Sequence, residues 1–256
     1  MQQTIQNAQL NILERGKGNP SLVFLHYFAG SSESWSELII RLQKTNHCIV
    51  PDLPGFGDSQ PIKEPTVEAV AKIIAELIHK LDLQNYILIG HSMGGKVALA
   101  FAANQPSGLR SLILLAPSPP TPEPIKSSER SRLLKTHGGR SAAEETAHKI
   151  TVQTLSDVAF DRVVQDNLRT SQTAWNAWLE VGSRQDISSV MSRITVPVLV
   201  IVGADDPVIP KSLLEQDVIS SIADAQLVVV PNAGHLLPIE TPQAIGDLIQ
   251  SHISQH

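Results

Sequence analysis

The stretch Tyr86-Ile87-Leu88-Ile89-Gly90-His91-Ser92-Met93-Gly94-Gly95-Lys96-Val97-Ala98-Leu99-Ala100 decides how the rest of the chain is read. Its first part is an unbroken apolar run of the kind found in strands buried on both faces, and its last part, rich in Ala, Val and Leu, has helix composition. Between them stands Gly-x-Ser-x-Gly, which puts Ser92 at the apex of a strand-to-helix turn. So sharp a turn strains the backbone of Ser92, and Gly90 and Gly94 are required because a side chain at either would collide with the neighbouring strand or helix. Ser92 is lifted out at a helix N-terminus, where unpaired N–H groups and the dipole favour negative charge, so the Met93 N–H is a natural first half of an oxyanion hole. Alone the pattern is weak: at average Gly and Ser usage it arises by chance in about one chain in ten of this length. The strand before it and the helix after it give it meaning. His91, inside the motif, reads as a packing residue, because that position need do no chemistry.

Outward from this unit the same rhythm repeats. Residues 8–14 alternate loosely and end in a Gly- and Pro-containing turn; residues 21–26 read as a buried strand, residues 27–32 as a loop of small residues, and residues 33–44 as an amphipathic helix with Trp35, Leu38, Ile39 and Leu42 on one side. Residues 48–50 form the next strand, a turn-rich loop follows over 51–59, and Val67, Val70, Ile74, Leu77, Ile78 and Leu81 recur at helical spacing behind Thr66, a plausible N-cap. After the central unit come strands at 112–115, 198–202 and 227–230 and a closing helix over 241–253 with Pro242 in its first turn. Strand–helix alternation means parallel strands joined by right-handed crossovers, with helices on both faces. The rhythm breaks once, at Pro117-Ser118-Pro119-Pro120-Thr121-Pro122-Glu123-Pro124, after which residues 125–193 carry helix-like segments and no strand. The expectation is a single α/β domain over 1–256, with a helical cap, 118–193, inserted within it.

Composition excludes several classes. The 256 residues carry a net charge of −5 with no block of like charge, so neither a nucleic-acid footprint nor a polybasic membrane patch is expected. No apolar run approaches the ~18 residues of a membrane span, and no basic n-region opens the chain, so an unexported, cytoplasmic protein is expected. The single cysteine, Cys48, lies in an apolar strand and reads as a small buried hydrophobe. The nine histidines show no paired ligand spacing, so neither a metal nor an organic cofactor is expected.

A serine nucleophile needs a base, and the base an orienting acid. Both belong in loops at the carboxyl ends of later strands, the edge where Ser92 emerges. The loop after the last strand, Pro231-Asn232-Ala233-Gly234-His235-Leu236-Leu237-Pro238, supplies His235; the loop after the preceding strand, Gly203-Ala204-Asp205-Asp206-Pro207-Val208-Ile209-Pro210, supplies two acids. The order Ser, Asp, His is the one this kind of sheet predicts.

These stretches together resemble the α/β-hydrolase superfamily, in its serine-nucleophile esterase and non-haem haloperoxidase-like branch. Gly90-His91-Ser92-Met93-Gly94-Gly95 is similar to the family's elbow, Asp52-Leu53-Pro54-Gly55-Phe56-Gly57-Asp58-Ser59 to the loop after the strand preceding it, and Asn232-Ala233-Gly234-His235 to the histidine loop. The resemblance covers nearly the whole chain apart from the cap and implies the α/β-hydrolase fold. It places the acid four residues before a Pro, which Asp206 and Pro210 satisfy and Asp205 does not; Asp205 is expected to hydrogen-bond its own turn. The family usually has His-Gly where this chain has His26-Tyr27. The second oxyanion donor is then the Phe28 N–H, and His26 is expected to bind nearby loop backbone. Tyr27 either points away or leans into the pocket, where it would narrow the acyl site or offer a hydroxyl.

The reading is hydrolysis of a small carboxylic ester or thioester through an acyl-enzyme, with Ser92, His235 and Asp206 as triad and a small ester-like molecule as partner. Alternatives implied by the resemblance are carbon–carbon hydrolysis of a diketone-like ring-cleavage product, cofactor-free perhydrolysis and a slow-turnover small-ligand receptor. Trp175 and Trp178, three apart in the cap, are the further candidates for the substrate pocket.

Overall fold

The computed structural model describes residues 1–5 and 8–256. Its frame is an eight-stranded sheet built from β1 (Gln2–Ile5), β2 (Ala8–Arg15), β3 (Ser21–Leu25), β4 (Cys48–Pro51), β5 (Tyr86–His91), β6 (Leu109–Leu115), β7 (Val198–Gly203) and β8 (Ala225–Val230), in the order β1-β2-β4-β3-β5-β6-β7-β8. The pairs β1–β2 and β2–β4 are antiparallel; every pair from β4 onward is parallel. β1 escapes the sequence reading because it is a short, half-exposed edge strand whose composition, Gln-Gln-Thr-Ile, carries almost no apolar signal.

The central strands are apolar at every position because both faces are covered, and alternate residues serve opposite cores. Val23, Leu25, Leu88, Leu112, Leu114, Val198 and Val200 pack with α2 (Val67–Lys80) and α3 (Met93–Ala102). Leu22, Phe24, Ile87, Ile89, Ile113, Leu115, Leu199 and Ile201 pack on the other face with α1 (Ser36–Leu42) and, near the chain's end, Ile245 and Ile249 of the helix Pro242–Gln255. Thr66 caps α2 by accepting from the Ala69 N–H, as its sequence position implies. Cys48 is buried and unpaired by any disulfide. No helix among the described residues is long and apolar enough to cross a membrane.

Between β6 and β7 the chain leaves the sheet and forms α4 (Ser127–Thr136), α5 (Arg140–Ile150), α6 (Asp157–Arg169) and α7 (Gln172–Glu180). The two segments that connect this insert to the sheet are joined to each other: Glu123 N–H donates to Ser183 O and Ile187 N–H to Pro120 O. Lys96 of α3 sits beneath both. Its fully buried ammonium donates to the carbonyls of Thr121 and Gln185, and burial pulls its pKa down to about 8. After β7 come the short helices α8 (Lys211–Leu214) and, after β8, α9 (Leu237–Glu240), then α10 (Pro242–Gln255).

Candidate active site

At the end of β5 the chain turns directly into α3, and Ser92 between them holds φ 50 and ψ −115, a strained conformation for a residue with a side chain. A Cβ on Gly90 would lie 2.6 Å from Gly94 O, and one on Gly94 would lie 2.3 Å from Leu25 O, so neither position accepts another residue without moving backbone. Ser92 is anchored on both sides of the sheet edge, its N–H donating to Leu115 O and its carbonyl accepting from Ser118 N–H.

The loops after β7 and β8 bring the other two groups to it. Ser92 Oγ lies 2.9 Å from His235 Nε2, and His235 Nδ1 lies 2.9 Å from Asp206 Oδ2. Asp206 Oδ1 accepts from the N–H groups of Val208 (2.7 Å) and Ile209 (3.0 Å), so the carboxylate is held on both oxygens. This reassigns one role expected from sequence: the hydrogen bonds that close this turn belong to Asp206, and Asp205 is exposed, with only its backbone N–H engaged among the described residues, to Ala233 O. Asp206 wins because its side chain, pointing inward, already faces the N–H groups that its own loop leaves unpaired.

Electrostatics follow from this arrangement. Burial opposes ionisation of Asp206, but the charge and hydrogen bond of His235 with the two backbone donors outweigh it and hold the carboxyl below its usual range. Burial likewise opposes charging of His235, yet Asp206, Glu123 and Glu240 together raise its pKa above the ordinary 6.5.

The histidine loop is braced by two residues whose roles sequence reasoning did not find. His91, fully buried, donates from Nε2 to the carbonyl of His235. Glu240 on α9 accepts from the N–H groups of Gly234 and Leu236 and also from Val152 and Gln153 beyond α5. No local pattern marks Glu240; its function depends on a fold-back of the chain.

On the opposite wall His26 Nε2 accepts from the Leu53 N–H at 2.9 Å, which makes its Nδ1 the protonated nitrogen, and that donates to Tyr27 O at 2.7 Å. Burial holds its pKa down to about 4, so it is neutral and structural, binding loop backbone. The neighbouring Ser31 hydroxyl donates to buried Asp166 of α6, which tethers this loop to the insert. The Phe28 and Met93 N–H groups make no hydrogen bond among the described residues. Tyr27 leans to the pocket side: its ring lines the cavity beside Ser92 and packs against Ala143, Ala147 and Val163, while burial keeps its hydroxyl protonated.

Ser92 and His235 open into a cavity of about 450 Å³, within the ordinary range for small-molecule sites. Phe28, Trp175, Trp178, Leu133 and Val163 make most of its wall apolar, and Glu123 and Asn167 add polar groups. Among the described residues no three His, Cys, Asp or Glu side chains converge as a metal site would require.

Comparison with known proteins agrees with this architecture. The chain is 29% identical over 259 residues to the dihydrolipoyllysine-residue acetyltransferase component of the acetoin cleaving system of Pseudomonas putida, covering 94% of this chain and 65% of that protein, so it spans just under two thirds of that relative. It is 26% identical over 257 residues to a monoacylglycerol lipase of Homo sapiens, covering 90% of this chain and 74% of the lipase. Among solved structures, a thermophilic esterase from Thermogutta terrifontis superposes with a TM-score of 0.82 at 28% identity, covering 97% of this chain and 94% of the esterase. A family model described as the alpha/beta hydrolase family matches residues 22–248, and with the sheet order and strand-to-helix serine turn described above, this chain belongs to that family of hydrolases.

Proposed function

We propose that this protein is a serine hydrolase that cleaves small carboxylic esters or thioesters through an acyl-enzyme. The observation that carries the reading is the unbroken hydrogen-bonded relay from Ser92 through His235 to Asp206 at the floor of an apolar cavity. His235 Nε2 takes the Ser92 proton as Oγ attacks the carbonyl carbon, and Asp206 holds the imidazole in the tautomer that leaves Nε2 free to accept. The tetrahedral oxyanion lies between the N–H groups of Phe28 and Met93, both uncommitted among the described residues. The proton on His235 passes to the departing alcohol or thiol, and His235 then activates the water that releases the acid. The lipase and esterase among the similar proteins support this reading.

The test is a fluorophosphonate probe together with a screen of acyl esters. Wild-type protein is expected to be labelled at Ser92 and to turn over short acyl esters, and Ser92→Ala to lose labelling and on the order of 10⁴-fold or more in rate while keeping its fold. A folded Ser92→Ala retaining a tenth of wild-type activity would sink the assignment.

A further inference from the structure

Two polar side chains in the cavity lining, Glu123 and Asn167, touch no reacting atom in the acyl transfer just described; Glu123 acts on it only through its charge near His235. Glu123 lies on the segment between β6 and α4, and it is fixed at both ends. Its backbone N–H donates to Ser183 O at 2.7 Å, and Ser118 Oγ donates to its Oε2 at 3.0 Å. Ser118 is itself fully buried and gives its N–H to Ser92 O at 2.9 Å, so the carboxyl is held at a set place relative to the nucleophile.

Lys96 and Arg130 act on Glu123 through space, but neither forms an ion pair with it among the described residues. Lys96 donates to the carbonyls of Thr121 and Gln185, Arg130 Nη1 donates to Ser183 Oγ at 2.8 Å, and among the described residues no salt bridge reaches Glu123. A carboxyl group has room for several donors, and here, among the described residues, one oxygen receives a single hydroxyl while Oε1 receives none. Asn167 on α6 is 8% exposed, and its side-chain amide makes no hydrogen bond among the described residues, while its backbone carbonyl accepts from Thr170 N–H near the helix end. Much of the remaining wall is hydrocarbon or aromatic, as at Phe28, Ala147, Val163 and Trp175, with Lys126, Glu129, Thr146, Lys149 and the Tyr27 hydroxyl as its other polar members. A purely hydrocarbon ligand filling this space would strip water from both polar groups and replace none of its hydrogen bonds, whereas a ligand with a hydroxyl would satisfy them.

We infer that Glu123 and Asn167 form a polar subsite that selects esters bearing a hydroxyl group over their hydrocarbon isosteres. Glu123 accepts from the substrate hydroxyl, and Asn167 supplies an amide donor or acceptor to the same polar part of the ligand. The inference rests on the serine-hydrolase reading for the reaction, but the recognition it describes is separable from turnover.

The experiment uses two matched pairs, 2,3-dihydroxypropyl butyrate against propyl butyrate, and ethyl 3-hydroxybutyrate against ethyl butyrate, which place the hydroxyl on the alcohol and acyl sides in turn. In wild-type enzyme kcat/KM for the hydroxylated member of at least one pair is expected to exceed its isostere by about tenfold or more. Glu123→Leu and Asn167→Leu each bring that ratio toward one, and Glu123→Gln, which keeps an acceptor, retains part of it. Because the ratio is taken within one protein, a partial folding defect cancels; should Glu123→Leu fail to fold, Glu123→Gln and Asn167→Leu carry the test. No hydroxyl preference in either wild-type pair, or an unchanged ratio in the folded variants, overturns the proposal. The same pairs titrated into Ser92→Ala by calorimetry decide the subsite from binding alone. An unlabelled Ser92 with a clear binding preference would therefore sink the hydrolase reading and uphold the subsite.

Discussion

His91 Nε2 donates to the backbone carbonyl of His235 at 2.8 Å, joining the second position of the strand-to-helix turn to the loop that carries the proposed base. A carbonyl can only accept, so the bond fixes His91 as the Nε2–H tautomer. Burial holds its pKa down to about 3, and the neighbouring His235 pushes the same way, so the donor keeps this form throughout the neutral range. Its ring also lies 5.2 Å from that of Tyr27 and 5.4 Å from that of His235, between the two walls of the site.

Replacing His91 by Leu removes this brace and leaves a buried carbonyl unpaired, a loss of about 1–3 kcal/mol in stability. Displacement of the base should also lower kcat by roughly tenfold or more, since small misplacements of reacting groups are costly. His91→Gln, which can still donate, should recover part of both. Thermal unfolding and ester kinetics on the two variants check this; a Leu variant with wild-type Tm and kcat would show that the bond carries neither effect.

The two neighbouring acids give a sharper contrast. Asp206→Asn leaves the side chain's shape but favours the wrong imidazole tautomer, and kcat should fall by roughly 10²- to 10⁴-fold. Asp205→Asn, at an exposed position whose side chain makes no hydrogen bond among the described residues, should change little. Finding the large loss in Asp205→Asn would identify the wrong neighbour as the orienting acid.

The pH dependence follows from the raised pKa of His235. Its base form is neutral, so kcat/KM should climb with pH along a limb centred above 6.5. The stability term has the opposite sense: the protonated His235–Asp206 pair stabilises the fold fully below pH 6.5, and that contribution is lost as pH rises through the folded-state pKa. For Asp206, whose pKa is lowered, stabilisation is present above 3.8 and disappears as pH falls through its folded value. In Asp206→Asn the activity limb should shift to lower pH, because the group that raised His235 is gone. A wild-type limb at or below 6.5, read from kcat/KM across the neutral range, would contradict the assignment.

What could be read from sequence divides by the range of the interactions. The strand-to-helix turn at Ser92, the N-cap Thr66 and the loops carrying Asp206 and His235 are local patterns, in which spacing along the chain sets spacing in space. His26 was legible for the same reason, since its partners Tyr27 and Leu53 lie in two loops already placed at one sheet edge. Lys96 was not: on composition it is a solvated helix position, and only the two connecting segments folding over α3 bury it. Glu123 lies in a proline-rich stretch without periodicity, and Glu240 gains its partners from two separate parts of the chain, so neither leaves a trace in any local window.

Substrate size should be read out by the two insert tryptophans, which play unequal parts. Both line the cavity and both are buried, at 2% exposure for Trp175 and 6% for Trp178. Trp175 is held by its Nε1–H, which donates to Leu133 O at 3.1 Å, and by His137 stacked 4.3 Å away, and its ring lies 4.6 Å from that of Phe28. Trp178 stands farther from Phe28, at 6.4 Å. Because the Phe28 N–H is the proposed oxyanion donor, Trp175→Ala should loosen it and lower kcat across all substrates, in addition to enlarging the cavity. Trp178→Ala should chiefly enlarge the cavity, shifting relative kcat/KM toward longer acyl chains by about 1–3 kcal/mol per methylene-sized change. A series of p-nitrophenyl esters from acetate to decanoate, run on both variants beside fluorophosphonate labelling of Ser92, separates the two effects. An unchanged chain-length profile in two well-folded variants would make the tryptophans purely structural, and would move selectivity to Tyr27, whose ring forms the facing wall with Ala143, Ala147 and Val163.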